Sequence, residues 1–191
     1  MIFIAIAEMA AFYACYFSKM LNQRRKGIQT DQMGKGKGGF VKFIEVTLKI
    51  VTCLVPVIEL ISIFLFKPSL PAVAQWCGAF IGLIGVAIFI ASVVTMKDSW
   101  RAGVSEKEKT ELVTAGIYQI SRNPAFLGFD FMYIGILLMF FNWTLFVVSV
   151  FAMVMFHLQI VNVEEDFLLV TFGEDYLTYK NKVCRYIGRK R

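Results

Sequence analysis

Hydrophobic residues are concentrated in five long blocks, and most polar residues lie between them. A helix needs about 20 apolar residues to cross the ~30 Å hydrocarbon layer of a bilayer, and each block comes close to that length. The pattern therefore predicts an all-α fold, a polytopic integral membrane helical bundle with about five transmembrane helices. The blocks comprise residues 1–21, 43–66, 72–96, 124–141 and 143–161.

The polar segments predict how these helices are connected. Residues 22–42 contain GIQTDQMGKGKGGF, which lacks the GxxxxGK[ST] spacing of a phosphate-binding loop, so we expect a flexible linker near lipid headgroups. Asn142 alone separates the last two blocks and predicts a tight helical hairpin. We divide the chain into an N-terminal transmembrane unit, residues 1–96, and a C-terminal unit, residues 97–191, whose charged tail is expected to consist of two short helices that meet at Gly173.

Composition and charge indicate a membrane protein and its orientation. The chain is 58% hydrophobic, against about 45–50% for soluble domains; a soluble protein with an unusually apolar core is the alternative. All lysines and arginines except Lys67 lie in residues 19–49, 97–122 and 180–191, and the net charge is +6. Under the positive-inside rule the N-terminal block is a retained first span that starts outside, and the C-terminus is cytoplasmic. The same distribution argues against nucleic-acid binding.

The cysteines and the histidine do not form a recognisable metal site. The spacing of Cys15, Cys53, Cys77 and Cys184 matches neither a CxxC pair nor a Cys/His site, so we expect them to act as small packing residues. His157 is the only histidine, which excludes a multi-histidine site.

Several residues inside the apolar blocks predict helix contacts. Ala74, Gly78 and Gly82 recur every fourth residue, a spacing that lets another helix approach closely. Intramembrane acids are functional candidates by default. We expect Glu59 to be a helix-packing partner or to snorkel, and Asp130 to orient polar groups at the start of the fourth block. Three further charged residues are expected to be interfacial or paired: Glu8, Glu45 and Lys49.

A first polar cluster, Ser121-Arg122-Asn123-Pro124, opens the fourth block. Proline in the first helical turn removes no hydrogen bond, and the free N–H groups beside it attract anions or lone-pair oxygens. The Arg122 guanidinium would add a planar fork of donors. The alternative is that Arg122 merely reaches the lipid phosphates.

A second cluster, VNVEEDFLLVTFGEDYLTYKNKVCRY, follows the fifth block. Helical spacing places Glu164 and Glu165 on an otherwise apolar stripe. An unpaired buried carboxylate is costly, so one of them should meet a cation or an ammonium group, unless both are solvated at the interface. Tyr176, Tyr179 and Val183 share a face that would wall a pocket or simply pack. The predicted topology brings both clusters to the cytoplasmic side, where they would enclose a zwitterion with a flat ring.

Together these segments resemble the isoprenylcysteine carboxyl methyltransferase family, which is related to the membrane phospholipid methyltransferases. The motifs are LVxxGxYxxxRxPxxxG, here LVTAGIYQISRNPAFLG, and EExxLxxxFGxxYxxYxxxVxR, here EEDFLLVTFGEDYLTYKNKVCR. The resemblance covers about residues 97–191. It implies S-adenosylmethionine bound in a cytoplasm-facing pocket and a lipophilic methyl acceptor that enters from the bilayer, either an isoprenylcysteine-type carboxylate or another lipid.

Matching positions in the motifs imply the site residues. Glu164 matches the acid that contacts the cofactor in the family and is expected to accept from its ammonium group. The candidate catalytic residues are Glu164, Arg122 and Glu165. The other cofactor-binding candidates are Thr110, Glu111, Leu112, Val113, Gly116, Tyr118, Asn123, Pro124, Ala125 and Phe126.

Two positions depart from the family pattern. Asn123 stands where the family often has histidine, and an amide can still donate and accept there. Ile160 stands where the prenylcysteine enzymes carry an arginine thought to hold the substrate carboxylate, which leaves the acceptor open. An amine, hydroxyl or thiol acceptor would need a base, for which the candidates are His157, Glu165 and Asp130.

Two other function classes remain as alternatives. One is an NADPH-dependent membrane reductase of the steroid and sterol reductase type, whose C-terminal helical architecture is similar. The other is a non-enzymatic lipid-binding or transport module, although five spans without an internal repeat are unlike a conventional transporter.

Overall fold

The chain folds into a bundle of helices. The structure is a computed structural model and describes residues 1–104 and 111–190. Two short 3-10 helices, Lys97–Ser99 and Gly116–Gln119, lie between the third and fourth long helices. The long helices are α1 (Ile2–Arg25), α2 (Gly39–Leu65), α3 (Ala72–Met96), α4 (Pro124–Met139), α5 (Trp143–Gln159) and α6 (Glu165–Lys182).

The predicted helical membrane fold is confirmed, with one difference in helix length. Among the described residues, four helical segments are long and apolar enough to cross a membrane: Ile2–Arg25, Gly39–Leu65, Ala72–Ser99 and the continuous Trp143–Lys182. The fifth, α4, has 16 residues, or about 24 Å at the usual helical rise. It is therefore shorter than the ~30 Å hydrocarbon layer.

The boundaries of α4 and α5 follow from their first residues. Pro124 occupies the first turn of α4, where its missing N–H costs nothing. The Asn142 side chain caps α5 by accepting from the backbone N–H of Leu145 at 2.9 Å, and it donates to Ser62 Oγ at 2.8 Å. One asparagine therefore starts α5 and ties the hairpin to α2.

Glycines bring α3 and α4 into backbone contact. A Cβ on Gly135 of α4 would lie 2.6 Å from Cα of Gly82 in α3, and one on Gly85 would lie 2.8 Å from the carbonyl oxygen of Gly128. Such distances leave no room for a side chain. Close packing through Gly78 and Gly82 is confirmed, and Gly85, outside the predicted repeat, continues the row.

Aromatic side chains fill the centre of the bundle. The rings of Phe12 and Phe89 stack with centroids 4.1 Å apart, and Phe129 packs edge-on against both. Tyr133 and Phe156 extend this core to α5. The core therefore joins the N-terminal and C-terminal units predicted from the sequence.

The prediction of a flexible linker between α1 and α2 is wrong. Thr30 and Gln32 are buried, and the linker forms a β-bridge to the polar segment after α3, at Asp31 and Ala102. The Gln23 amide donates to the carbonyl oxygen of Trp100 at 2.8 Å. These polar groups find partners about 70 residues away, a pairing that local composition cannot reveal.

Two acids in the membrane-spanning helices are buried. Glu59 is fully buried, and neither of its carboxylate oxygens has a hydrogen-bond partner among the described residues, so the snorkelling alternative is wrong. Glu8 is also buried, and a Cβ on Gly82 would clash with its Oε2. That oxygen has no hydrogen-bond partner among the described residues, so the expected pairing is not seen there, and the interfacial position of Glu8 stays a prediction.

The expectation that Glu45 and Lys49 are paired is confirmed, although Glu45 is buried. Lys49 pairs with Asp31, and Glu45 pairs with Lys37. Both ion pairs join the linker to the first turns of α2.

Candidate functional site

The start of α4 and the C-terminal segment meet at one end of the bundle. The backbone N–H of Arg122 donates to the carbonyl oxygen of Cys184 at 3.1 Å, and the Gly188 N–H donates to Ile120 at 2.8 Å. The Asn123 amide donates to the carbonyl oxygen of Arg185 at 3.0 Å. The predicted encounter between the first polar cluster and the C-terminal segment is therefore confirmed.

Arg122 is buried and uses its whole guanidinium group within the protein. Nε donates to the carbonyl oxygen of Val183 at 3.1 Å, and Nη1 donates to the Tyr176 hydroxyl at 2.7 Å. Nη2 lies 3.0 Å from Oε1 of Glu165. Arg122 therefore ties the start of α4 to α6 and to Val183, which follows it. The alternative that Arg122 reaches lipid phosphate is wrong.

Glu165 is the carboxylate that meets cations. Besides Arg122, the Arg185 guanidinium binds it in a fork, with Nε 2.7 Å from Oε1 and Nη2 3.2 Å from Oε2. Lys180 Nζ lies 2.9 Å from Oε2. The hydrogen bond to Glu165 raises the pKa of Arg185. Three cations hold this carboxylate in its charged form, which makes Glu165 a weak base.

The two neighbouring acids at the π turn face different surroundings. Residues Ile160–Glu164 form one π-helical turn between α5 and α6, a feature that is often found at functional sites. Glu165 faces the three cations, whereas Oε1 of Glu164 lies 3.5 Å from the side-chain nitrogen of Gln159. The prediction that both acids share one stripe is wrong, because adjacent helical residues point about 100° apart and here they meet different partners.

The three tyrosines near the site form an apolar cluster with Val183. Tyr118, Tyr176, Tyr179 and Val183 are buried against one another. The Tyr179 hydroxyl donates to the carbonyl oxygen of Tyr118 at 2.6 Å. Burial raises the pKa of the Tyr118 phenol, so it stays a neutral hydrogen-bonding group at physiological pH.

The other cofactor-binding candidates are divided between this cluster, the bundle core and the protein surface. Leu112 and Val113 pack on the tyrosines, and Gly116 has a φ of +58° that favours glycine. Glu111 is exposed, and its backbone N–H donates to Ser99 Oγ at 3.4 Å. Thr110 lies outside the described residues. Pro124, Ala125 and Phe126 form the first turn of α4, where Ala125 and Phe126 pack on the bundle core.

The candidate bases have different surroundings. His157 is exposed, and its Nδ1 lies 2.6 Å from the Tyr186 hydroxyl. Asp130 is partly buried, and its Oδ1 has no hydrogen-bond partner among the described residues. The structure therefore leaves Asp130 with a free acceptor, whereas Glu165 is held by cations.

Sequence reasoning missed several residues around the acids. Lys180 and Arg185 belong to the basic tail, which the charge pattern assigned to membrane orientation. Gln159 is fully buried, and its Oε1 lacks a partner among the described residues. The only signal for Gln159 was a polar residue near the end of an apolar block.

A separate apolar groove lies on the outer surface of the bundle. It lies between α2 and α5 and has a volume of about 220 Å³. Residues Ile50, Leu54, Val147 and Phe151 are among its lining, which is almost entirely apolar. The groove suits a hydrocarbon chain rather than a polar ligand.

Comparisons with known proteins agree with the family resemblance. A family model described as phospholipid methyltransferase matches residues 73–175. The chain is 26% identical over 185 residues to protein-S-isoprenylcysteine O-methyltransferase of Saccharomyces cerevisiae, covering 95% of this chain and 76% of that protein.

Two further relatives carry similar names. The Dictyostelium discoideum protein-S-isoprenylcysteine O-methyltransferase is 29% identical over 121 residues, which is 62% of this chain and 51% of that protein. The Arabidopsis thaliana protein-S-isoprenylcysteine O-methyltransferase B is 27% identical over 136 residues, which is 68% of each chain. The chain thus spans about half the length of the Dictyostelium relative.

Proposed function

Since the chain belongs to the phospholipid methyltransferase family, we propose that it is an integral membrane methyltransferase that uses S-adenosylmethionine to methylate a lipophilic acceptor. Family membership favours this function over the reductase and over non-enzymatic lipid binding. The observation that carries the proposal is the contact between Arg122 and Glu165, 3.0 Å apart. It joins the two motifs that, in the resembling family, form the cofactor pocket.

The groups around the two neighbouring acids fit this cofactor. Glu164 and the unpartnered Oε1 of Gln159 are acceptors that suit an ammonium group. Leu112, Val113 and Tyr118 offer apolar and aromatic surface for a flat ring. When bound, S-adenosylmethionine supplies a methyl group on a positively charged sulfur, which is already activated for transfer.

The protein's own contribution is alignment and exclusion of water. We assign Glu164 to direct contact with the cofactor. Arg122 and Glu165, also predicted to be catalytic, use their polar atoms on each other and on the C-terminal segment, so we assign them a positioning role. Asn123 contributes by holding the backbone of Arg185.

The acceptor is proposed to be an isoprenylcysteine-type carboxylate or another lipid. The names of the relatives and of the family both indicate lipid or lipid-modified acceptors. The apolar groove between α2 and α5 could accommodate a hydrocarbon chain. Ile160 is fully buried and carries no charge. An acceptor carboxylate would therefore need a cation other than the arginine found at this position in the prenylcysteine enzymes. If the acceptor must lose a proton, Asp130 is the base with a free oxygen.

We place the site and the C-terminus on the cytoplasmic side. The basic segments that flank the helices support this orientation under the positive-inside rule. A soluble, charged cofactor would then reach the site from the cytoplasm, and the acceptor would reach it from the bilayer.

Labelling identifies the acceptor and tests the proposal. Membranes that contain the protein are incubated with S-adenosylmethionine labelled in its methyl group, and both the extracted lipids and the lipid-modified proteins are analysed for the label. We expect a labelled acceptor with the wild type and at least about a tenfold loss with Glu164→Gln, the scale of one lost charge-assisted hydrogen bond. Full labelling by Glu164→Gln would remove Glu164 from the site, and no label on any lipid or lipid-modified protein would overturn the proposed function.

A further inference from the structure

Four side chains form a polar cluster on the Glu164 side of the π turn, and we call them the Glu45 cluster: Lys37, Glu45, Gln159 and Glu164. The side-chain nitrogen of Gln159 lies 3.4 Å from Oε1 of Glu45 and 3.5 Å from Oε1 of Glu164. Lys37 pairs with Glu45 Oε1. The cluster therefore links the linker and α2 to the proposed site.

Carboxyl groups outnumber cations among the described members of this cluster. Two carboxylates, Glu45 and Glu164, are accompanied by one cation, Lys37. Glu45 and Gln159 are fully buried, where charge is poorly screened and an uncompensated carboxylate is costly. Glu165, on the other side of the turn, is instead surrounded by Arg122, Lys180 and Arg185.

A second observation, at Gln159, points to a bound ligand that carries an N–H donor. The Gln159 nitrogen must face the two carboxylates, because an amide oxygen cannot donate to them. This orientation leaves Oε1 buried and without a partner among the described residues. A buried carbonyl oxygen in this state is satisfied by an N–H donor, and ammonium groups supply such donors.

We propose that the Glu45 cluster selects the positively charged methyl donor over the neutral product, with Glu45 and Gln159 as specificity-determining residues. This inference rests on the proposed function. During transfer the acceptor's lone pair forms a bond to the methyl carbon, the carbon–sulfur bond breaks, and its electron pair stays on sulfur. The sulfonium thereby becomes a neutral thioether, and the ligand loses one positive charge. The cluster then holds the product less tightly than the donor, which favours exchange of product for fresh donor.

The N-terminal unit thereby contributes to selection of the cofactor. Glu45 lies in α2, outside the matched family region 73–175. Its Oε2 accepts from the backbone N–H of Gly34 at 2.6 Å, so the ordered linker fixes its position. The linker and α2 therefore tune a site whose proposed cofactor contacts come from the C-terminal unit.

Calorimetry on the purified full chain tests this inference through a ratio of dissociation constants. The Kd for S-adenosylhomocysteine is divided by the Kd for S-adenosylmethionine in the wild type and in each variant. We expect Glu45→Gln to lower this ratio by about tenfold, the scale of one unit charge acting through the protein interior. Lys37→Gln removes the cation instead and is expected to raise the ratio. Because the two variants should move the ratio in opposite directions, general damage to the fold cannot imitate the result.

Matched controls and distinct outcomes complete the test. Glu174→Gln and Lys42→Gln make the same charge changes at exposed positions and should leave the ratio unchanged. If the wild type binds both ligands but Glu45→Gln and Lys37→Gln leave the ratio unchanged or shift it in the same direction, the inference is overturned while the proposed function stands. If the wild type binds neither ligand, the proposed function fails first.

Discussion

The two sides of the π turn show two ways of burying a carboxylate. On one side, Glu165 is held by Arg122, Lys180 and Arg185, and every contact is made by the protein itself. On the other side, Glu164 shares the Gln159 nitrogen with Glu45, and the Gln159 oxygen has no partner among the described residues. Adjacent residues in the chain thus have opposite surroundings.

This difference separates a structural role from a binding role. A carboxylate whose partners all belong to the protein has little left to offer a ligand, and removing one of those partners destabilises the fold. A carboxylate in a negatively charged cluster with an unsatisfied acceptor nearby is prepared for a cationic ligand. We therefore propose a positioning role for Glu165 and cofactor contact for Glu164, whereas the sequence predicted both to be catalytic.

The largest expected effect comes from breaking the Glu165 side at Arg122. Arg122→Met leaves the carbonyl oxygen of Val183 and the Tyr176 hydroxyl without their donor and takes one of three cations from Glu165. We expect a loss of about 3 kcal/mol in unfolding free energy, the lower end for breaking a buried pair. Thermal unfolding of the purified protein measures it.

A matched variant controls for the loss of a positive charge. Arg24→Met makes the same replacement at an exposed position in the last turn of α1 and should change stability by less than about 0.5 kcal/mol. Equal stability of the two variants would contradict the structural role of Arg122.

A smaller effect is expected at Tyr179. Tyr179→Phe keeps the ring in the tyrosine cluster and removes the hydroxyl that donates to the Tyr118 carbonyl oxygen at 2.6 Å. Loss of one buried hydrogen bond should cost about 1 kcal/mol. The same unfolding assay measures this cost, and a loss as large as that of Arg122→Met would show that the tyrosine cluster, rather than the ion pairs, dominates this side.

The smallest effect is expected at Lys180, which has the most exposed side chain of the three cations that contact Glu165. Its side chain is 35% exposed, and Glu165 keeps both arginines when it is removed. Lys180→Met should cost less than about 1 kcal/mol, and the difference from the wild type should shrink as salt is added. A large cost that does not depend on salt would mean that Lys180, not Arg122, is the main partner.

The elements that the sequence predicted well have local signals. The predicted block 72–96 coincides with α3, because Pro71 precedes it and no charged residue interrupts it. Asn142 marks the turn of the hairpin as predicted. The predicted break at Gly173 is confirmed by its φ of +50°, a conformation that glycine adopts without strain.

The features that the sequence did not predict depend on distant partners. Gln159 faces Glu45, 114 residues earlier, and Arg122 meets the carbonyl oxygen of Val183, 61 residues later. Nothing in the local pattern specifies these pairs. The π turn was also not predicted. The apolar pattern continues across it, although the backbone there forms a wider turn.

The most direct test of the central claim is an experimental structure of the complete protein with S-adenosylhomocysteine bound. We expect the ligand's ammonium group within hydrogen-bonding distance of Glu164 or of Gln159 Oε1, with the Arg122 guanidinium still on Glu165. A ligand bound to the Arg122 guanidinium, with the Glu165 ion pair broken, would contradict the division of roles between the two sides of the π turn.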